Sequence, residues 1–410
     1  MASGCTKGEE KNGDPKKEDG DDLIELTYYR LFDPEDVFEP LIKTYESEHP
    51  NIRINYKKFT DQDEYMNLII NELAEGEGPD IFSLHSAEFS EHQRKLTPAT
   101  NKIMDPETFK ATFVPVAAQD LLLKGENGEI RVYGLPLYVD TLALYYNADH
   151  FEEVIPDRGK PAAAWSELQQ DVTKLTIPDQ SFERFERAGI AMGRADNLLR
   201  AIDLLYALFL QFGVEFYNPV FNEATFAEGV NPPAVEVFNL FLSFGLPSSP
   251  YFSWNSYLAT PESSEKEILP FARGKVSMIF GYSYLYDQIL DTIKELDRKG
   301  GEVIREGAIQ VAPLPQLAHE AERSALAPFS TYASYFAETV SRTSPHPDEA
   351  WEFLNFLVSQ ENLRYYHEKT HRPTSRLDLL DEQRNEPIYG IFADQIDYAE
   401  SLPIPSSKKV

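Results

Sequence analysis

The tightest constraint on the fold is a rhythm between Leu23 and Leu84. Three β-prone runs alternate there with two helical runs, and the joints are only a few residues long. Leu23–Tyr29 reads LIELTYY, a first strand. Asp33-Pro34 then opens a helix, with Asp33 expected as its cap and Pro34 at the first helical position, where a missing N–H does no harm. Val37, Phe38, Leu41, Ile42 and Tyr45 share one face of that helix. Asn51–Tyr56 alternates like a strand. Tyr65, Leu68, Ile69 and Leu73 mark a second helix, stopped by Gly76 and Gly78-Pro79, and Ile81–Leu84 is a third, apolar strand. A helix between two strands of one sheet returns the chain so that the strands run parallel. The pattern therefore predicts an α/β fold built on a parallel sheet.

The rest of the chain is harder to divide. Val132–Leu144 reads as apolar strands with Asp140 inside them, and helical patterns dominate from Trp165 to Phe244. Ser166 and Gln169 have capping-box spacing, with Trp165 in the staple position before them. Val276–Phe280 and Ile309–Pro313 read as strands, the first ending at Gly281, and Asp348–Val358 is an amphipathic helix. A length of 410 residues allows two or three folding units at about 150 residues each. Yet no Pro/Gly-rich linker separates them. Domains without a linker are expected to be assembled from discontinuous segments.

Charge and cysteine content narrow the function. The chain carries 38 Lys and Arg against 68 Asp and Glu, a formal net charge of −30. Nucleic-acid phosphates would be repelled, so nucleic acid is not an expected partner. No apolar run reaches the roughly 18 residues of a membrane span. One cysteine excludes a disulfide framework and a Cys-based metal cluster. That cysteine, Cys5, follows Ser3-Gly4 and precedes a polar leash, TKGEEKNGDPKKEDGDD, at 6–22. Such a leash cannot offset its own ordering entropy and is expected to be disordered. The arrangement resembles the end of a bacterial lipoprotein signal, whose cysteine becomes lipidated, and export is inferred from it. The bland alternative is an incidental exposed thiol.

Catalytic motifs are mostly missing. There is no phosphate-binding loop, no GxGxxG and no GxSxG. His367-Glu368-Lys369-Thr370-His371 does match the HExxH of zinc proteases. Pro373 biases Arg372 away from helix, so the helix is expected to end near Thr370 and the two imidazoles not to share a stable face. No metal, no cofactor and no enzymatic activity are expected.

With these pieces placed, the chain resembles the family 1 extracellular solute-binding proteins of bacterial ABC importers, the group of maltose- and other sugar-binding proteins. The matching blocks are Gly78-Pro79-Asp80-Ile81, Tyr133-Gly134-Leu135-Pro136-Leu137 with Asp140 and Leu144-Tyr145-Tyr146-Asn147, and Ala164-Trp165-Ser166-Glu167-Leu168 with Lys174-Leu175-Thr176. Then come Ile190-Ala191-Met192-Gly193, Phe271-Ala272-Arg273-Gly274-Lys275-Val276-Ser277-Met278, Ala312-Pro313-Leu314-Pro315 and Ala350-Trp351-Glu352-Phe353-Leu354. The blocks run in family order from about Leu23 to Pro405. The resemblance implies a two-lobed periplasmic-binding-protein fold of type II, with discontinuous lobes joined by hinge strands. Residues 1–22 would be the tether, 23–139 plus 313–375 the first lobe, and 142–310 plus 378–405 the second, with crossings near Asp140, Ala312 and Ser375. It also implies a monomeric, extracytoplasmic lipoprotein that captures a mono- or oligosaccharide by hinge closure and delivers it to an ABC permease in the membrane.

Candidate solute contacts come from two sources. Ligands of open α/β sheets sit at the carboxyl ends of strands. That rule nominates Arg30 and Phe32, His85 and Ser86, and Tyr282 and Tyr284. The resemblance nominates Asp140, which matches a sugar-contacting acid, and the loop with Arg194, Asp196 and Asn197. Arg372 lies near the expected third crossing. Trp165 and Trp351 are claimed by helix patterns, which leaves Trp254 as the free aromatic platform. A non-sugar solute (a polyamine, a peptide or an anion) is the alternative, and Arg30 and Arg372 would suit an anion.

Overall fold

The computed structural model describes residues 23–180, 184–218, 223–229, 232–318 and 329–402. The expected tether and Cys5 lie outside them. The opening rhythm is there. Strand Ile24–Leu31 pairs in parallel with Ile52–Phe59 along its whole length and with Ile81–His85 on its other side. Helices Glu35–Glu48 and Gln62–Glu75 make the crossovers. The second ends as its sequence demands, with Gly76 at φ 81°. Strand Phe336–Ser341 then adds antiparallel to Ile81–His85 and carries Leu96–Thr97 and Leu135–Pro136 on its far side.

Two hydrophobic cores make the molecule two-lobed. The first joins this sheet to residues such as Phe38, Tyr65, Phe89, Trp351 and Leu354. The second surrounds a three-stranded antiparallel sheet in which Ala143–Asn147 lies between Met278–Gly281 and Ile309–Ala312. Helices Trp165–Leu175, Ala201–Gln211 and Pro233–Ser243 pack residues into this core.

A third small sheet forms the seam. Thr331–Ser334 pairs antiparallel with Asp140–Thr141 and parallel with Ala399–Glu400. Val139 packs in the first core and Leu142 in the second; Ala333 lies in the first and Tyr332 in the second. Ala399 packs against the first core and Leu402 against the second. The core therefore changes at all three strands. The family resemblance implied a first crossing near Asp140, on one of these strands, and later ones near Ala312 and Ser375, away from the other two. Ala312 ends a strand inside the second core, and the Ser375 hydroxyl donates to Pro136 O at 2.6 Å within the first lobe. Each of these stretches is held by pairing inside one lobe. The last segment is shared: Leu379, Leu380 and Ala393 pack in the first core and Phe392 in the second.

Local details also differ. The first helix begins at Glu35 behind Pro34 with no side-chain cap, because the Asp33 carboxylate is turned away toward two arginines. Trp165 is itself the first residue of its helix, so Ser166 and Gln169 form no capping box; Ala164 is the N-cap. The Trp165 indole N–H donates instead to Gln211 Oε1 at 2.8 Å, tying two helices of the second lobe. Within the stretch read as helical, Ile177–Pro178 and Phe185–Arg187 pair as short strands.

Candidate functional site

A cavity of about 520 Å³ opens between the lobes. The first-lobe wall grows from strand ends. The chain leaves Leu31 into Phe32, whose φ of 69° is in the left-handed region, and turns Phe32 out of the core. Such strain in a bulky residue persists only where the surroundings impose it. The Phe32 ring meets the Phe336 ring edge-on at 5.9 Å, and His85, at the end of the third strand, also meets the Phe336 ring, at 5.1 Å. His85 Nδ1 accepts from the Ala87 N–H, so the neutral ring donates from Nε2 to Ser334 Oγ at 3.0 Å. Burial, helped by the charge of Arg200, pushes its pKa down to about 4. Glu88 comes next along the wall, with Oε2 buried and without a hydrogen-bond partner among the described residues. Burial raises its pKa, and neighbouring Glu91 raises it further.

Arg372 completes that wall. Its guanidinium lies 4.4 Å from the Tyr138 ring centroid, pairs with Asp33 Oδ1 at 3.1 Å and donates to the Tyr366 hydroxyl at 3.3 Å. Behind it, Arg30 is 1% exposed and is held by Asp33 and Glu338. The Tyr28 hydroxyl donates to Glu338 and the Tyr366 hydroxyl to Asp33. Two arginines against two carboxylates leave this buried network neutral, which is what burial of charge requires.

The second-lobe wall is aromatic. Tyr282 and Tyr284 stack at 6.1 Å and 26° on the short loop after Gly281. Arg200 lies 5.5 Å from each ring centroid and donates to the Tyr284 hydroxyl. Asp203, one helical turn on, faces Arg200 at 3.5 Å; burial raises its pKa, and Arg200 opposes that. Tyr206, a further turn on, meets Tyr332 at 5.3 Å. At the cavity edge His371 of the first lobe reaches Asp287 of the second at 3.4 Å, its ring stacked on Tyr389 at 4.5 Å. A polar crevice with flat apolar faces on both walls is built to hold a small polar solute.

A family model for bacterial extracellular solute-binding proteins matches residues 40–388. The chain belongs to this family. Among curated relatives of this solute-binding protein is a binding protein of Brucella abortus (strain 2308), 24% identical over 329 residues, which is 79% of this chain and 69% of the relative. Among solved structures, the ABC substrate-binding protein Lmo0181 of Listeria monocytogenes, in complex with cycloalternan, has 18% identity and a TM-score of 0.68, covering 93% of this chain and 89% of its own. MalE of Xanthomonas citri has 17% identity and a TM-score of 0.70, covering 93% and 87%. Maltose-bound MalE3 of T. maritima has 17% identity and a TM-score of 0.68, covering 93% and 90%. These structures share its two-lobed fold.

The solute-binding protein brings together five of the residues singled out from sequence: Phe32, His85, Tyr282, Tyr284 and Arg372 line the cavity. The others lie elsewhere. Ser86 is buried beside the lining, its N–H bonded to Tyr335 O at 2.9 Å. Arg30 stands behind Arg372. Asp140 is 1% exposed; it accepts from Ser283 Oγ at 2.6 Å and from the N–H groups of Ser283 and Thr141. Its carboxylate thus ties a seam strand to the loop that carries the two tyrosines, and burial pushes its pKa up to about 6. Trp254 is fully buried, its indole N–H donating to Asn197 Oδ1 at 2.9 Å, and the Asn197 amide donates on to Ala259 O at 2.8 Å. Arg194 and Asp196 pair with each other at the surface, at 2.6 Å. Sequence reading missed Glu88, Tyr138, Arg200, Asp203, Tyr206, Tyr332 and Phe336. The spacing Arg200, Asp203, Tyr206 was a usable signal: positions three apart share a helix face.

The two histidines of the HExxH stretch turn to different partners. Its helix ends at Thr370, and His371 sits at φ 54°. His367 bonds Glu386 through Nε2 at 2.9 Å and the Arg372 carbonyl through Nδ1 at 2.7 Å. Among the described residues no group of three or more His, Cys, Asp or Glu is placed to hold a metal ion.

Proposed function

We propose that this protein is the capture component of an ABC importer and that its solute is a carbohydrate held between the lobes. The cavity carries the reading. Tyr282 and Tyr284 on one wall and Phe32 and Phe336 on the other offer flat apolar faces for the C–H faces of sugar rings, while Glu88, Asp203, Arg200 and Arg372 offer acceptors and donors for hydroxyls. Both arginines already face carboxylates, so the site does not present the unpaired positive charge that an anion would select. Solved neighbours are described with cycloalternan and with maltose bound.

Binding would be closure without chemistry. The two cores would move as lobes about the seam strands Asp140–Thr141, Thr331–Ser334 and Ala399–Glu400. Shifting an open–closed equilibrium from 1:99 to 99:1 takes roughly 5.5 kcal/mol of differential affinity. A few charge-assisted hydrogen bonds at about 1.5–3 kcal/mol each supply that range. The closed monomer would dock on a membrane permease, tethered by a lipid on Cys5.

The test is the melting temperature of the protein against millimolar mono- and oligosaccharides. A sugar at 100 times its dissociation constant adds about 2.7 kcal/mol, a shift of some degrees. A shift with one or more sugars is the expected result. A shift only with polyamines, peptides or anions would replace the carbohydrate reading with the other solute class.

A further inference from the structure

A second hollow, of about 620 Å³, lies at the far end of the first lobe's sheet. Strand Phe336–Ser341 leads from one to the other: Phe336 lines the cleft and Arg342, just past the strand, lines the hollow. We propose that this hollow is an independent binding site for a compact oxyanion of the phosphate class, free or carried on a lipid headgroup.

Its lining runs against the character of the chain. In a protein of net charge −30, four cations meet here, Arg94, Lys124, Arg131 and Arg342, with Glu126 as the one carboxylate among them. Arg342 is partly committed, 3.5 Å from Glu126 and donating to Arg94 O at 3.3 Å. Arg94, Lys124 and Arg131 form no ion pair among the described residues. Arg131 is the anchor. One of its terminal nitrogens donates to Ala99 O at 2.6 Å, but its Nε is buried with no hydrogen-bond partner. A buried donor left unmade is unfavourable, and the Arg131 guanidinium, with a single hydrogen bond among the described residues, lines the hollow with donors to spare for an oxyanion. Guanidinium groups present paired N–H donors that match phosphate oxygens.

The walls are fixed. The Gln93 amide donates to Lys124 O at 2.9 Å, holding the strand pair Leu122–Lys124 and Ile130–Val132 against the segment before Leu96. Every lining residue belongs to the first lobe's segments, so the site needs no hinge closure and does not rest on the carbohydrate reading.

The experiment is calorimetric titration of the full chain with pyrophosphate at low ionic strength, beside cosedimentation with phosphatidylglycerol and with phosphatidylcholine vesicles. Variants are Arg131→Gln, Arg94→Gln and Lys124→Gln; the last two residues are exposed, so their change is expected to leave the fold intact, which the melting temperature checks. Binding of pyrophosphate, about tenfold weaker in each variant and weaker with added salt, establishes a site for free oxyanions. Binding of phosphatidylglycerol vesicles alone, with the same losses, assigns the headgroup. No binding of either probe, or binding unchanged in Arg94→Gln and Lys124→Gln, overturns the proposal.

Discussion

Asp140 shows how a carboxylate inside an apolar strand can be structural and still matter to the cleft. Its three donors come from Thr141 and from Ser283, which stands between Tyr282 and Tyr284. Its folded pKa of about 6 is above the ordinary carboxylate value near 3.9, so between about pH 4 and 6 the folded state holds a proton that the unfolded chain has released. The stability this proton confers is complete below pH ~4 and is lost as pH rises through about 6. Asp140→Asn should flatten that part of the melting-temperature profile between pH 4 and 6, which a thermal scan in matched buffers reads directly. At the other end of the same loop, Tyr284 is half-buried and its ring faces the cavity. Tyr284→Ala should leave the melting temperature of the unliganded protein within a few degrees and weaken sugar binding roughly tenfold, the size of one lost aromatic contact. Residue by residue, the legible part of the cleft lay at and just beyond strand ends: Phe32, His85, Tyr282 and Tyr284. Trp254 misled because only the distant Asn197 shows that its indole N–H can be buried at no loss. Asp33 misled because a helix cap and half of a buried ion network look alike until Arg372 is brought beside it.

At the scale of elements, the βαβ opening was readable because apolar periodicity and glycine stops are local signals. The seam carries no such local signal, since its three strands are only two to four residues long and come from positions 140, 331 and 399; only the crossing near Asp140 was expected, and that from the family resemblance. The aromatic wall of the second lobe was half readable for the same reason: Tyr282 and Tyr284 come directly after a strand, whereas Arg200 and Asp203 open a helix more than 80 positions earlier than Tyr284. Gly281 is the joint between strand and loop. A Cβ there would stand 2.2 Å from Leu285 Cδ2 in the next helix. Gly281→Ala should therefore push the loop off its helix, lowering stability by about 1–3 kcal/mol in a denaturant titration and weakening solute binding together with it. Loss of stability with affinity unchanged would mean that the loop does not position the two tyrosines.

Over the whole molecule, two cores, a three-stranded seam and a crevice with an aromatic face on each wall describe a device for surrounding a solute. The neutral ion network behind Arg372 and the Arg200–Asp203 pair keep polar groups in fixed positions before anything binds. That preorganisation would let a modest set of contacts favour the proposed closure. The direct test is small-angle X-ray scattering of the full chain, without sugar and with the oligosaccharide that gives the largest melting shift at saturating concentration. The account predicts a smaller radius of gyration with sugar, and for Tyr284→Ala the same change at a higher sugar concentration. A radius of gyration that stays the same at saturation would contradict capture by closure of the two lobes.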